Sequence, residues 1–261
     1  MPVITLTTDF GDADHYVACM KGVILQLAPE AHIVDVTHTI PPHDVVRGAF
    51  VLRQIFDYYP PGTIHVSVVD PGVGTSRRLI AASYDGQLVL APDNGLVSLI
   101  HRDIALDELR AVANARLFRQ EVSSTFHGRD VLAPVAGHLA RGMALSNVGP
   151  MIEQLEILNL DPPAMLPNGG IEGQVLYVDH FGNLITNISE ADVAAAMGPQ
   201  PDLNVYVGPL RVGPLRTTYG DVNTGEIVAL IGSTGMLEIA INQGNAASGL
   251  RASPGTIVIV R

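Results

Sequence analysis

The N-terminal part of the chain alternates between two hydrophobic periods, and that alternation restricts the fold more than any other feature. Residues 2–8 (PVITLTT) form a short apolar, β-branched run, and Val17, Met20, Ile24 and Leu27 follow at helical spacing. Residues 32–36 (HIVDV) read as a second strand. Val45, Ala49, Leu52 and Phe56 mark a second helical face, and residues 64–69 (IHVSVV) are strand-like again. A βαβαβ opening predicts an α/β domain with a mainly parallel sheet and helices on its faces. Candidate strands at 79–83 and 87–91 and a helix at 130–141 extend this unit.

The stretch DPPAMLPNGG, residues 161–170, concentrates three prolines and two glycines, the composition of a linker. The expected division is therefore an α/β domain over 1–160, a linker over 161–170 and a second domain over 171–261. Beyond the linker, GQVLYVD, LNVYV, GEIVALIG, LEIAI and GTIVIVR are short β-rich runs, with one helical piece near 190–197. That pattern predicts a small all-β domain, a barrel or a sandwich.

Charge narrows the partners. Fifteen basic against 26 acidic residues leave a net charge of −11, which disfavours nucleic acid and anionic membrane surfaces. The longest stretch free of Asp, Glu, Lys and Arg is 12 residues, short of the roughly 20 that a spanning helix needs. The N-terminus has neither a basic segment nor an apolar one of the kind a secretory signal carries, so a cytoplasmic location is expected. The single cysteine, Cys19, excludes an internal disulfide and a thiolate zinc cluster, and its helical setting marks it as core packing.

In an open parallel sheet, ligands bind beyond the carboxyl ends of the strands. Asp9, in TTDFGD, follows the first strand and Asp70, in VVDPGVGTSRR, follows the third, so right-handed crossovers bring both to one edge. His127, in STFHGRD, stands in a loop just ahead of a helix expected to start near Asp130. In the second domain, VDHFGNLITNIS sets Asp179, His180 and Asn183 in a turn between strands, and IGSTGMLEIAINQGNAAS adds Ser233, Glu238 and Asn245. No dinucleotide fingerprint, phosphate loop, G-x-S-x-G elbow or H-E-x-x-H helix occurs. A metal site built from Asp9, Asp12, Asp14, His15, His38 and His43 suits a divalent ion chemically, although a solvated acidic loop accounts for the same residues.

Taken in order, TTDFGDADHYVACMKG, VVDPGVGTSRR, APDNGL, STFHGRD, DHFGNLITN and GNAAS resemble the S-adenosylmethionine (SAM) hydroxide adenosyltransferase family, SAM hydrolases related to the fluorinating and chlorinating SAM enzymes. The resemblance implies a C-terminal β-barrel and a homotrimer with active sites between neighbouring subunits. It implies SAM as substrate, with no cofactor and no metal. It places Asp70, Arg77 and His127 in the catalytic set and makes Asp70 and Arg77 partners across the turn, with Arg78 a surface residue. Asp9 corresponds to the carboxylate that grips the ribose hydroxyls, and Asp179 and Ser233 to positions that hold the methionine ammonium and carboxylate. Asn183 matches a residue that reads the adenine edge, with Phe181 and Tyr219 as aromatic walls. Asn245 and Ala246, in GNAAS, would offer backbone contacts to adenine, Glu238 a second acidic group near the amino acid, and the loop Thr39 to Pro42 a closure. The halogenating relatives carry an aromatic residue in place of Asp70, and a serine or small residue in place of Gly128, so water is the expected nucleophile. The base is left open at this point: Asp70, His127 oriented by Asp70, or electrostatic support of a hydroxide-like nucleophile by the whole set. Two other readings stand beside it, a metal-dependent hydrolase using residues 9–15 and a SAM- or nucleoside-binding module without turnover.

Overall fold

The structure, a computed structural model, describes residues 1–167, 169–197 and 203–261, so Asn168 of the expected linker lies outside the described residues. The chain divides into two compact units, Met1–Asn159 and Leu160–Arg261.

The first unit runs β1 (Val3–Thr8), α1 (Tyr16–Leu27), β2 (His32–Thr37), α2 (Val45–Phe56), β3 (Ile64–Val68), β4 (Leu79–Tyr84), β5 (Gln87–Pro92), α3 (Ser98–Asp103), β6 (Leu106–Ala111) and α4 (Ala133–Ala140). Its sheet has the order β2-β1-β3-β5-β4-β6. The first four strands in that order are parallel, and β4 runs antiparallel to both β5 and β6. The sheet is thus mostly parallel, with α-helices on it. Alternation along β1 sends Ile4 and Leu6 to one face, where they pack with Met20 and Ile24 of α1 and Val135 and Ala136 of α4. On the other face Leu52 and Phe56 of α2 join Ile80, Val89 and Ile100. The helices α1 and α4 approach closely at Gly137, where a Cβ would stand 2.9 Å from that of Leu27. Any larger residue there would push the two helices apart.

That second face carries a buried polar chain among its apolar contacts. Thr5 of β1 meets Nδ1 of His65 at 2.8 Å, and His65 Nε2 meets Gln87 Oε1 at 2.9 Å. The Gln87 amide donates in turn to the carbonyl of Phe56. Buried polar atoms cost stability unless paired, and pairing across β1, β3 and β5 satisfies them here.

The second unit runs β7 (Ala164–Met165), β8 (Ile171–Val178), β9 (Leu184–Ser189), α5 (Glu190–Met197), β10 (Asn204–Val207), β11 (Leu210–Arg216), β12 (Ile227–Ile231), β13 (Met236–Ile241), α6 (Ala246–Leu250) and β14 (Ile257–Val260). Strands β14-β10-β11-β12-β13-β9-β8 form a continuous ladder, and β8 pairs again with β14. This closes a seven-stranded barrel and leaves none of those strands as a free edge. Burial alternates along β8, and Ile171, Val175, Leu184, Val205, Leu237, Ile239 and Val258 fill the interior. Within the proline-rich stretch, Ala164 and Met165 pair with β8 as a two-residue strand.

Candidate active site

The parallel strands β1, β2, β3 and β5 end at one edge of their sheet, and the loops beyond that edge carry the polar residues of the first unit. A cavity of about 520 Å³ opens there. Asp9, Asp70 and His127 line it together with Phe10, Tyr16 and Phe126. The three aromatic rings pack mutually, with centroids 5.2–5.7 Å apart and edge-on or tilted geometry. Phe10 and Tyr16 bracket the acidic loop DFGDADHY, and two aromatics on either side of such a loop were the available signal for them. The lining is therefore both polar and aromatic, the usual composition of a small-molecule site.

Asp70 and Arg77 pair across the turn. Arg77 Nε lies 3.0 and 2.9 Å from the two Asp70 carboxylate oxygens, and Nη2 also donates to Oδ2. The same Nη2 reaches Nδ1 of His127 at 2.9 Å. Arg77 is thus the centre of a three-residue chain, and it stands between the other two. Among the readings left open for the base, direct orientation of His127 by Asp70 does not match this geometry: the hydrogen bond to the ring comes from the Arg77 guanidinium. An arginine only donates, so His127 Nδ1 is the acceptor and the neutral ring carries its proton on Nε2. Burial lowers the pKa of His127, and the charge of Arg77 lowers it further against the opposing pull of Asp70 and Asp130. The ring is therefore neutral at neutral pH.

His127 stands at the start of a π-turn, Gly128–Leu132, ahead of α4. The helix thus begins earlier, and wider, than the expected start near Asp130. Pro134 explains part of this, because it has no N–H to return to the carbonyl four residues before it. The Asp130 carbonyl accepts from Arg119 N instead, at 3.0 Å. The Asp130 side chain, fully buried, accepts from Ser123 N and from Nε and Nη2 of Arg129. Burial pushes its carboxyl up, but Arg129, the Ser123 N–H and Arg119 outweigh that and hold it below the ordinary value. This anchor fixes the loop that carries Ser123, Thr125 and Phe126 to the cavity wall.

Asp9 accepts from the backbone N–H of His43 at 2.9 Å. His43 takes the left-handed conformation, φ 68°, and lines the cavity, and of the segment Thr39 to Pro42, Pro42 lines it. Of the other residues of the metal reading, His15 also lines the cavity. His38 is buried against Thr8 and Asp35, Asp12, Asp14 and His15 are exposed, and among the described residues no three His, Cys, Asp or Glu side chains are placed to share a metal ion.

Arg78 is a surface residue, as the resemblance implies. It is half exposed, yet its guanidinium donates to the buried carboxylate of Asp93 and to the carbonyl of Gln154. It is an anchor of the turn and not a free surface cation. Its partner is 15 residues away and comes alongside at the open end of the β4–β5 hairpin, next to the Leu79–Pro92 pair.

In the second unit, the turn between β8 and β9 is organised by Asp179, whose Oδ1 accepts from the N–H groups of Phe181 and Asn183. The Asn183 amide donates to Asp179 Oδ2 at 3.1 Å. Gly182 (φ 88°) abuts Asn245, since a Cβ at this glycine would lie 2.2 Å from the Asn245 side chain. The motifs DHFGN and GNAAS therefore meet. Asn245 caps α6 by accepting from Ser248 N, and the Ala246 side chain is fully buried. Phe181 and Tyr219 are exposed aromatics, and Ser233 is exposed in the turn between β12 and β13. Tyr219 donates to Glu238 at 2.6 Å. Burial raises the pKa of Glu238, which Asp179 reinforces and the Tyr219 hydrogen bond opposes.

A mostly parallel α/β unit with an Asp-Arg-His chain at its carboxyl edge, followed by a closed barrel with an acidic and aromatic turn cluster, defines a two-domain class of small-molecule enzyme. Residues 4–149 match the SAM hydroxide adenosyltransferase N-terminal domain and residues 173–259 its C-terminal domain, and the chain belongs to that family. A Salinispora tropica protein named (R)-S-adenosyl-L-methionine hydrolase is 43% identical over 97% of this chain and 95% of its own. A fluorinase from an Actinoplanes species is 30% identical over 99% of this chain and 97% of its own. An uncharacterised conserved protein from Thermotoga maritima superposes with a TM-score of 0.90 at 36% identity, covering 100% of this chain and 99% of the other.

Proposed function

We propose that this protein hydrolyses S-adenosyl-L-methionine to adenosine and L-methionine by attack of water at C5′. The observation that carries the reading is the Asp70–Arg77–His127 chain beside the cavity, in a member of this family. A new bond forms between the water oxygen and C5′, and the bond from C5′ to sulfur breaks with its electron pair going to sulfur. The products are a neutral thioether and a 5′-hydroxyl, and one water proton leaves for solvent. A sulfonium is a good leaving group, so alignment does most of the work, worth roughly 7 to 11 kcal/mol when the attack geometry is held.

The tautomer of His127 divides the remaining labour. Nδ1 is occupied by Arg77, so the ring presents Nε2–H to the water oxygen as a donor and positions it. Asp70, its carboxylate held by Arg77, accepts the proton as the new bond forms. One Asp9 oxygen takes the His43 N–H, and the other meets the ribose diol. Asp179 and Ser233 hold the amino acid end with Glu238 near it. Asn183 reads adenine through its carbonyl, since its amide is bound to Asp179. Phe181 and Tyr219 wall the base, and Asn245 and Ala246 meet it through their backbone. The assembly is a homotrimer with sites between subunits, located in the cytoplasm. It works without cofactor or metal, and it engages neither nucleic acid nor membrane. Family membership supports these assignments, and no helix among the described residues is long and apolar enough to cross a membrane.

The test is chromatography of SAM incubated with the purified protein in ¹⁸O water, with and without chloride and EDTA. Adenosine carrying the label, plus methionine, is expected in every condition. A 5′-chloro product, loss of activity in EDTA, or SAM that binds unchanged would each overturn the reading. Light scattering tests the trimer.

A further inference from the structure

We propose that Asp93 and Asn94, in the APDNGL stretch after β5, are positioning residues that set the Asp70–Arg77 pair for its reaction. The inference rests on the catalytic reading of that pair. Its origin is topological. The chain leaves β3 at Val68 and returns as β4 at Leu79, but β5 lies between those two strands in the sheet. The connection 69–78, which contains both Asp70 and Arg77, must therefore pass over the carboxyl end of β5. Asp93 and Asn94 are the first residues beyond that end, and they hold the connection at both of its feet.

At the first foot, Asn94 Nδ2 donates to the carbonyl of Val69 at 2.9 Å, one residue before Asp70. At the second, Asp93 N donates to the carbonyl of Arg78 at 2.9 Å, and Asp93 Oδ2 accepts from Arg78 Nε at 2.9 Å and Nη2 at 2.6 Å, one residue after Arg77. The remaining Asp93 oxygen accepts from Glu156 N. The Asp93 side chain is 1% exposed, so its charge is matched by Arg78 and its oxygens are both engaged. Neither residue lines the cavity. Each acts on the backbone or the neighbour of a catalytic residue, which is how a group remote from the reacting atoms governs alignment.

The experiment compares Asn94→Ala, Asn94→Asp and Arg78→Lys in steady-state SAM hydrolysis, with circular dichroism to establish folding. Long-range ¹H–¹⁵N spectra of the His127 ring report whether Nδ1 still accepts from Arg77. Loss of alignment predicts kcat lower by about a hundredfold in the Asn94 variants, KM changed less than about threefold, and a changed His127 signature. Arg78→Lys keeps the charge and loses the fork, and a smaller drop in kcat with the same signature is expected. If the Asn94 variants fail to fold, the half-exposed Arg78→Lys decides. Folded variants with wild-type kcat, or with an unchanged His127 signal, overturn the proposal. Absence of turnover in the wild type would instead sink the catalytic reading, while the spectra would still report on the clamp.

Discussion

Two histidines of the α/β unit teach what separates a structural imidazole from a chemical one. His65 is fully buried, and burial lowers its pKa, as it does that of His127. Both use Nδ1 as an acceptor, from the Thr5 hydroxyl in one case and the Arg77 guanidinium in the other. The difference lies at the second nitrogen. His65 Nε2 ends on Gln87, whereas His127 lines the cavity and its Nε2 has no hydrogen-bond partner among the described residues. Burial and a neutral ring are common to both, and a vacant donor facing a cavity with a cation behind the ring belongs to one. The expected consequence is a clean exchange of phenotypes between the two sites.

The largest effect falls on turnover. Asp70→Ala and His127→Ala are expected to lower kcat for SAM by about a hundred- to ten-thousandfold, the usual range for a lost acid–base group. The urea midpoint of His127→Ala should stay close to wild type, whereas Asp70→Ala strands the Arg77 guanidinium and should lose stability as well. A His127→Ala protein with wild-type turnover would erase the distinction. At the other site, His65→Ala leaves Thr5 and Gln87 buried without their shared partner, at a cost of about 3 kcal/mol in urea unfolding. Its kcat per folded molecule is expected to be unchanged, and a matching loss of kcat would mean that both rings serve the reaction.

The contrast also shows where sequence reading reaches its limit. The strands β1, β3, β4 and β5 announce themselves as short apolar runs buried on both faces, and the helices α1, α2 and α4 by the helical period of their buried side. The six-residue α3 is too short to display a helical period, and β6 reads LDELRA, whose charges hide its half-buried alternation. Asp70 and Arg77 are readable as partners because seven residues and a tight turn separate them. The link from Arg77 to His127 spans 50 residues, and that from Asn94 to the Val69 carbonyl depends on β5 lying between β3 and β4, an order that no local pattern encodes. His65 carries no chemical motif at all, and the polar chain it completes appears only when β1, β3 and β5 are placed side by side.

Acid pH separates the two histidines by readout. Each folded ring titrates below 6.5, the ordinary value that the unfolded chain regains. Between those points the unfolded state binds more protons, so stability rises with pH there. The contribution of each ring is complete above pH 6.5 and is lost as the pH falls through the folded value. Protonation of His127 also removes the acceptor for Arg77, so kcat is expected to be flat through neutrality and to fall on acidification. Measured together, His65→Ala should flatten the stability profile and spare the kcat profile. A kcat profile that breaks above neutrality would contradict a neutral His127.

The smallest effect is expected at Gly128, the first residue of the π-turn beside His127, where the halogenating enzymes of the family resemblance carry a serine or another small residue. A Cβ there would lie 3.3 Å from Met20 Sδ and 3.5 Å from a Phe10 ring carbon. Methionine is flexible enough to yield, so Gly128→Ser should shift stability by less than about 1 kcal/mol. Turnover should drop no more than about tenfold. The product is the informative part. A hydroxyl beside the cavity adds a donor that an anion can use, but Asp70 keeps its negative charge at the same wall. One neutral hydrogen bond is a weak hold on an anion in a cavity that also carries a carboxylate, so adenosine is expected to remain the product in chloride. Appearance of 5′-chloroadenosine from this variant would mean that Gly128, and not the carboxylate, reserves the site for water.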